Sequence, residues 1–275
     1  MENKKILTVQ DISCVGQCSL TVALPILSAC GIETCVLPSA VLSTHTAGFT
    51  GYTFHDLTDE MPAILSHWKK EGIVFDAIYT GYLGSVRQIE LVDELMRDFL
   101  VPGGLRIVDP AMADNGKLYP AFDEAYVTAM AQLCKKADLL LPNITEACFL
   151  TQTPQITDPD PETVGALMDR LSAGHRDIVL TGVGYRPGHT GVEVLEKGTR
   201  TYYEHSYLTP GCHGTGDVYA SAFTGAVMAG KSVPQAARIA ADYTVRCIEY
   251  THADPSHWYG VRFEPLLPEL IRALS

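Results

Sequence analysis

A glycine-rich turn late in the chain combines two features that suit phosphoryl chemistry. The segment Gly214-Thr215-Gly216-Asp217 comes just before a run of small residues that is predicted to be helical. Glycines let the backbone approach a ligand closely, and the free N–H groups at a helix start attract anions. Asp217 adds a carboxylate in the first turn of this helix, and an acid in such a turn is suited to proton transfer. An acid at a helix start is also favoured without any chemical role, so that alternative stays open.

Three further polar residues follow two apolar runs that are predicted to be strands. Asp109 comes after residues 105–108, and Asn143 and Glu146 come after residues 139–141. Two carboxylates with water between them suit Mg²⁺, which takes few protein ligands and keeps most of its waters. We therefore predict that Asp109 and Glu146 bind Mg²⁺. Asn143 and Glu146 also have the spacing of a helix capping box, and this second role stays open.

A third group of polar residues is predicted to hold a small organic molecule. His45 and Thr46 belong to the polar stretch 43–49, which offers hydrogen bonds to a heterocycle. Tyr82 is suited to stacking on a ring or, equally, to covering the end of the sheet. Asp11 follows the first predicted strand, at the end of the sheet where a binding site would be built.

The hydrophobic pattern predicts a framework that brings strand ends together. Short apolar runs alternate with longer amphipathic stretches, which favours right-handed β-α-β crossovers and a mainly parallel sheet. The predicted strands are 5–9, 33–37, 74–80, 105–108, 139–141 and 178–180, with an antiparallel hairpin at 191–195 and 199–205. The predicted helices are 17–29, 59–71, 85–100, 122–136, 144–151, 161–173, 215–228, 234–250 and 265–274. Ligands of such sheets bind beyond the carboxyl ends of the strands, where Asp11, Asp109, Asn143 and Thr181 lie.

The domain organisation is predicted to be simple. We find no linker, repeat or break in composition, so residues 1–275 are expected to form a single domain in which residues 37–54 form a substrate flap. Residues 225–232 match the P-loop string, but a helical stretch precedes them where a P-loop needs a strand. We therefore interpret Gly230 as the end of a helix.

The composition limits the class of protein. The chain has 275 residues, 47% of them hydrophobic, which is enough for a sizeable core. Its net charge of -12 argues against a nonspecific nucleic-acid binder and against a polybasic membrane anchor. No apolar run reaches the roughly 18–20 residues of a membrane span, and no signal peptide is predicted. Eight scattered cysteines are typical of reduced thiols, so we expect a cytoplasmic protein.

Six segments, in order along the chain, together resemble the pyridoxal kinase branch of the ribokinase superfamily. They are residues 10–16, 43–46, 79–85, 109–114, 142–146 and 214–217. The last of these is similar to the GTGD signature of the superfamily, and residues 79–85 are similar to the [ST]GYLGS segment of the pyridoxal kinases. Asp11 departs from the branch, which usually has a substrate-contacting serine at this position. The resemblance covers nearly the whole chain.

The resemblance implies a ribokinase-like three-layer α/β/α fold with a mainly parallel central sheet and a small antiparallel edge. It implies an ATP-dependent kinase that phosphorylates the 5′-hydroxymethyl group of pyridoxal, pyridoxine or pyridoxamine, and so serves vitamin B6 salvage. Asp217 would be the catalytic base, and Gly214, Thr215 and Gly216 would form the anion hole. The other implied roles are nucleotide or Mg²⁺ contacts for Asp109, Asn143, Glu146 and Thr181, and substrate contacts for Asp11, His45, Thr46 and Tyr82. A K⁺ ion near the phosphates and a homodimer are implied as well.

Two alternatives stay open at this point. A kinase of the same superfamily that acts on hydroxymethylpyrimidine, or on another small aromatic alcohol, would also suit the acidic Asp11. A ligand-binding member without catalysis is the second alternative, because a fold does not by itself establish a function.

Overall fold

The computed structural model describes residues 4–172 and 177–275. Its strands are β1 Lys5–Ser13, β2 Glu33–Leu42, β3 Phe54–Asp56, β4 Phe75–Thr80, β5 Leu100–Val108, β6 Ala113–Asp114, β7 Lys117–Leu118, β8 Leu139–Leu140, β9 Asp177–Thr181, β10 His189–Glu196 and β11 Thr199–Ser206. Its helices are α1 Leu20–Ala29, α2 Met61–Glu71, α3 Val86–Asp98, α4 Glu124–Cys134, α5 Ile144–Thr151, α6 Pro161–Leu171, α7 Thr215–Met228, α8 Val233–His252 and α9 Leu267–Leu274. A 3-10 turn at Glu264–Leu266 precedes the last helix.

The central sheet has the strand order β11-β10-β9-β8-β5-β4-β1-β2-β3. The six strands from β9 to β2 in this order are parallel, and β10, β11 and β3 are antiparallel to their neighbours. From β1 the chain goes outward to β2 and then returns to β4 on the other side of β1. Strand order therefore reverses between β1 and β4, which is where ligands bind in open parallel sheets.

Helices cover both faces of the sheet and bury a separate core on each. Alternate residues of β1 point to opposite faces, so Leu7 and Val9 join one core while Ile6 joins the other. The first core packs against α2 to α6, and the second packs against α1, α7, α8 and α9. The structure confirms the predicted three-layer α/β/α fold with its mainly parallel sheet.

Both ends of the predicted substrate flap, residues 37–54, belong to the sheet, and its role as a flap stays a prediction. Residues 37–42 continue β2, and Phe54 begins β3, which pairs antiparallel with β2 and adds a second antiparallel edge. The loop that is left spans residues 43–53. Extension of β2 past Pro38 is tolerated because the pairing of β1 with β2 is irregular between Gln10 and Ile12.

Several predicted element ends were also displaced by tertiary contacts. α1 begins at Leu20 and not at residue 17, because Ser19 has a φ of 54° and bridges to Ile12. The helix predicted to reach residue 100 ends at Asp98, since Leu100 already pairs with β4. Residue 173 of the predicted helix 161–173 lies outside the described residues.

The P-loop string was correctly interpreted as a helix end. α7 ends at Met228, and Gly230 has a φ of 93°, a left-handed conformation that favours glycine. In the described ranges 4–172 and 177–275, no helix has the length and apolar character that a membrane crossing requires.

Candidate active site

The turn that leads into α7 has a backbone that only glycine adopts readily. Gly214 is the N-cap of α7 and has a φ of 82°. A Cβ at this position would lie 1.9 Å from the carbonyl oxygen of Gln17. α7 begins at Thr215, as predicted, so the N–H groups of its first turn have no carbonyl within the helix to bind. This turn is therefore suited to an anion.

The carboxylate of Asp217, in the first turn of α7, is held by the backbone and faces other acids. It accepts a hydrogen bond from the N–H of Ser19, which lies just before α1. Burial raises the pKa of Asp217 to about 7, and the charge of Asp11 acts in the same direction. An acid with a pKa near the working pH is well matched to accepting a proton from an alcohol.

The pKa of Asp217 predicts a pH dependence of turnover. A base works only when it is deprotonated, so activity should rise as the pH increases through about 7 and level off above it. An ordinary aspartate, with its pKa near 3.8, would give a flat profile over this range. The measurement is kcat/KM for the alcohol substrate at pH 5.5–9 with saturating Mg-ATP. A profile that stays flat down to pH 5.5 would contradict this role of Asp217.

Asp109 and Glu146 lie together at the ends of β5 and β8, as predicted. Burial, with the charges of Glu146 and Asp217, holds the pKa of Asp109 well above its usual range. Burial also raises the pKa of Glu146, to about 8. No ion pair within residues 4–172 and 177–275 involves either carboxylate. A cation bound beside these two carboxyls would oppose both shifts, because it stabilises the charged form of each.

Hydrogen bonding distinguishes these two acids. Glu146 Oε2 accepts from the N–H of Asn143 at 2.8 Å, and Oε1 accepts from the N–H of Met112 at 3.0 Å, so both oxygens are engaged. Asn143 Oδ1 accepts in turn from the N–H of Glu146, and the capping box is therefore present. Asp109 has no donor to its carboxylate within the described part of the chain. Asp109 is accordingly the freer of the two predicted Mg²⁺ ligands.

The donor set fits Mg²⁺ in a largely hydrated form. Among the described residues, no group of three or more His, Cys, Asp or Glu side chains is arranged to hold a metal by itself. Mg²⁺ takes one or two carboxylates together with waters and substrate phosphates, whereas Zn²⁺ needs three or four protein ligands. Asp109, with Glu146 beside it, meets the Mg²⁺ requirement, and Mg²⁺ binding stays a prediction.

The predicted nucleotide contacts Asn143 and Thr181 are neighbours at the ends of β8 and β9. They form a parallel bridge, and the Thr181 hydroxyl donates to the carbonyl of Pro142 at 3.4 Å. Asn143 Nδ2 donates to the carbonyl of Ala113 at 2.8 Å and so holds the β6–β7 hairpin. Asn143 contacts Glu146 directly and Thr181 lies beside Asn143, and the contact of these two residues with a nucleotide stays a prediction.

At the β1 side of the site, Asp11 and Tyr82 are brought together as predicted. Asp11 is 6% exposed and accepts from the Ser13 hydroxyl at 3.2 Å. Burial raises its pKa, while hydrogen bonds from Ser19 and Ser13 oppose that shift. Tyr82, whose pKa burial raises to about 12, lies within electrostatic range of Asp11. Its ring also packs on Phe122, with the centroids 5.4 Å apart, so it covers the sheet end as well.

His45 is buried and holds the loop 43–53 against the C-terminal segment. Its Nδ1 accepts from the N–H of Ala47 at 3.1 Å, so its Nε2 donates to the carbonyl of Tyr259 at 2.5 Å. Its ring also contacts Phe49 and His213, with centroids 5.0 and 5.5 Å apart. Because both ring nitrogens are occupied by the backbone, only the ring of His45 is free to meet a substrate. Thr46 is exposed on the same loop.

Replacing His45 with Ala should loosen this loop. Two backbone hydrogen bonds and the ring contacts disappear, so we expect the free energy of unfolding to fall by about 2 kcal/mol. KM for the alcohol substrate should rise several-fold, with a smaller change in kcat. His55→Ala, at an exposed position of β3, is the matched control. Equal effects of the two substitutions would show that the contacts of His45 are unimportant.

Two residues of this region were missed by sequence reasoning. Ser19 binds Asp217 through its backbone N–H, which no side-chain pattern reveals. Tyr119 follows β7, and its pKa is raised by burial and by the charges of Glu146 and Asp109. Its proximity depends on the β6–β7 hairpin, which the pattern did not predict.

Known kinases resemble this chain in sequence and in overall structure. The family model for phosphomethylpyrimidine kinase matches residues 26–261. A pyridoxine/pyridoxal/pyridoxamine kinase of Bordetella bronchiseptica is 27% identical over an alignment of 265 positions that covers 90% of this chain and 89% of that protein. The solved pyridoxal kinase of Lactobacillus plantarum is 32% identical, with a TM-score of 0.91, and the match covers 98% of this chain and 97% of that one.

A second solved structure is more similar in sequence. It is a Bacteroides thetaiotaomicron protein in a crystal form with pyridoxal, 39% identical, with a TM-score of 0.90 and a match over 99% of this chain and 96% of that one. The family match covers well over half of the chain, and both solved structures extend over nearly all of it. The chain belongs to the phosphomethylpyrimidine kinase family, within the ribokinase-like superfamily, and is a kinase that transfers phosphate to an alcohol group.

Proposed function

We propose that this kinase uses ATP to phosphorylate the 5′-hydroxymethyl group of pyridoxal, pyridoxine or pyridoxamine. The observation that carries the proposal is that Asp217 lies within electrostatic range of both Asp109 and Asp11. Asp109 lies within electrostatic range on the nucleotide side, and Asp11 lies within range on the β1 side. A base in this position meets both an alcohol and a terminal phosphate. The pyridoxal in the Bacteroides thetaiotaomicron structure supports the assignment of the alcohol.

The reaction assigned to these residues is a single transfer. Asp217 accepts the proton of the substrate hydroxyl while that oxygen forms a bond to the γ-phosphorus, and the bond to the departing ADP breaks. The N–H groups at the start of α7, with Gly214 at its N-cap, stabilise the charge on the transferring oxygens. Mg²⁺, when bound, neutralises phosphate charge on the side of Asp109 and Glu146.

Asp11 is the residue that we assign to ring recognition. The buried carboxylate of Asp11 lies near Ser13, Ser19 and Tyr82, and none of these side chains carries a positive charge. A cationic group on the substrate would therefore stabilise the charged carboxylate more than a neutral group would. A protonated pyridine nitrogen or an amine supplies that partner. Thr46 and Tyr82 are assigned to the same substrate. The homodimer and the use of K⁺ stay predictions.

The family name favours one second candidate, phosphorylation of a hydroxymethylpyrimidine. A substrate panel separates the two. Purified protein is incubated with Mg-ATP and pyridoxal, pyridoxine, pyridoxamine or hydroxymethylpyrimidine, and the phosphorylated products are quantified by chromatography. The proposal expects a higher kcat/KM for at least one B6 compound than for the pyrimidine. A higher kcat/KM for the pyrimidine would overturn the substrate assignment. If none of the four compounds supported ATP turnover, the proposed function would be overturned.

A further inference from the structure

Gln88, in the first turn of α3, is a polar residue with no solvent exposure. Ser85 is the N-cap of this helix, so the pair has the spacing of a capping box, in which the glutamine side chain would accept from the N–H of Ser85. In the structure Gln88 Oε1 accepts from the N–H of Gly84 at 2.7 Å. The side chain therefore binds a residue that precedes its own helix cap.

The amide nitrogen of Gln88 binds two other segments of the chain. Nε2 donates to the carbonyl of Ser39 in β2 and to the hydroxyl of Thr58, just after β3, each at 2.9 Å. Asp56 Oδ1, which accepts from the Thr58 hydroxyl, lies 3.3 Å from the same nitrogen. Because the Gly84 N–H only donates and the Ser39 carbonyl only accepts, the orientation of the amide is fixed. One buried side chain thus joins β2, the end of β3 and the segment before α3.

The segment before α3 carries Tyr82, which we assign to the substrate. A Cβ at Gly84 would lie 3.5 Å from Gln88 Oε1 and 3.8 Å from Tyr82 Cε1, so the amide and the ring both lie against Gly84. The carbonyl of Tyr82 accepts from the hydroxyl of Ser39 at 3.3 Å. The position of the Tyr82 ring therefore depends on a backbone that Gln88 and Ser39 hold.

The other end of the network lies where the loop 43–53 returns to the sheet. Phe54 follows this loop and begins β3, whose last residue is Asp56. Tyr52, in the loop, and Asp56 are both within electrostatic range of Tyr82. Gln88 thus links the return of the loop to the segment that bears Tyr82, and these two parts lie on the substrate side of the site.

We propose that Gln88 is a positioning residue for the alcohol substrate, whose amide holds Tyr82 at a fixed place relative to β3 and the loop 43–53. Gln88 is buried and contacts no substrate, so it acts through Tyr82. Leu83 is held separately, since its carbonyl accepts from the Tyr126 hydroxyl at 2.6 Å. Loss of the amide should therefore shift Tyr82 without unfolding the segment. The inference rests on the proposed function, because that function assigns Tyr82 to the substrate.

Gln88→Met keeps a long side chain that suits a helix and removes all the hydrogen bonds of the amide. We expect KM for the alcohol substrate to rise about tenfold, roughly the value of one aromatic contact. KM for Mg-ATP and kcat should stay within about twofold of the wild type, since the start of α7 is unchanged. Tyr243→Phe is the matched control, because its buried hydroxyl donates to the carbonyl of Phe263 at 3.0 Å in the opposite core. An equal rise of KM in Tyr243→Phe would overturn the inference.

Gln88→Glu separates positioning from general stability. The carboxylate still accepts from the Gly84 N–H, but it lacks the two donors and adds a buried charge beside Asp56. Burial of that charge should lower Tm more than Gln88→Met does. KM should nevertheless lie between those of the wild type and Gln88→Met, because the bond that holds the Tyr82 segment is kept. If KM followed the order of the Tm values, the role of Gln88 would be structural only and the inference would be overturned.

Hydrogen exchange measured by mass spectrometry tests the positioning without turnover. In Gln88→Met, exchange should become faster in peptides that cover residues 81–84 and 54–58, whereas in Gln88→Glu it should become faster at 54–58 alone. Unchanged exchange at 81–84 in Gln88→Met would overturn the inference. Failure of the proposed function is recognised separately, as no phosphorylation of any B6 compound by the wild type, and the exchange at 81–84 then still decides whether Gln88 holds this segment.

Discussion

Asp217→Asn is expected to reduce kcat at least about a thousandfold while nucleotide affinity is retained. The amide has the size of the carboxylate but does not accept the proton of the alcohol, and general-base catalysis contributes roughly 10²–10⁴ in rate. The helix start that meets the phosphates is unchanged. The measurement is kcat by product formation at pH 8, with Kd for Mg-ADP by calorimetry.

A stability measurement shows whether this variant is properly folded. The pKa of Asp217 is raised in the folded state, so ionisation costs stability as the pH increases from about 4 to 7, and this cost is fully present at pH 8. Asparagine removes that cost, so Tm at pH 8 should be no lower than in the wild type. Asp158→Asn, at an exposed position, is the matched control for replacing an aspartate with asparagine. A residual rate within tenfold of the wild type would assign the base to another residue.

Gly214→Ala has the second largest expected effect. A methyl group would lie 1.9 Å from the Gln17 carbonyl oxygen, and the φ of 82° is strained for alanine. The turn has to shift, which misplaces the N–H donors at the start of α7. Loss of one such donor typically costs about 10²–10³ in rate, and we expect kcat to fall by about a hundredfold. The strain should also lower the free energy of unfolding by about 2 kcal/mol.

Gly211→Ala serves as the control within the same loop. A Cβ at Gly211 meets no atom within 4 Å, and its φ is not in the left-handed region. Its kinetics and unfolding should therefore match the wild type. If Gly214→Ala retained full turnover, the anion-binding role of this turn would be excluded.

Much of the fold follows from features that are local in sequence. α7 begins at Thr215 and ends at Met228, as predicted, because the glycine turn and the small-residue run mark both ends within the segment. α5 was likewise predicted correctly from Ile144 to Thr151, since the Asn143–Glu146 pair is a capping signal. Alternation of strands and helices was enough to predict a parallel sheet and the edge at which Asp11, Asp109 and Thr181 gather.

The remainder depends on contacts between distant segments. Extension of β2 to Leu42 depends on its pairing with β1 and β3, which places both ends of the segment 37–54 in the sheet. The backbone bond from Ser19 to Asp217 joins residues that lie nearly two hundred positions apart. The hydrogen bond from His45 Nε2 depends on the carbonyl oxygen of Tyr259, more than two hundred positions away. Contacts between distant segments leave no periodic pattern within either segment, so they could be identified only in the structure.

The strands on either side of residues 43–53 limit how this loop can move. Because β2 and β3 both belong to the central sheet, the loop is held at both of its ends. Any rearrangement of residues 43–53 that displaced His45 would therefore have to break its hydrogen bond to the Tyr259 carbonyl oxygen, while β2 and β3 keep both ends of the loop in place.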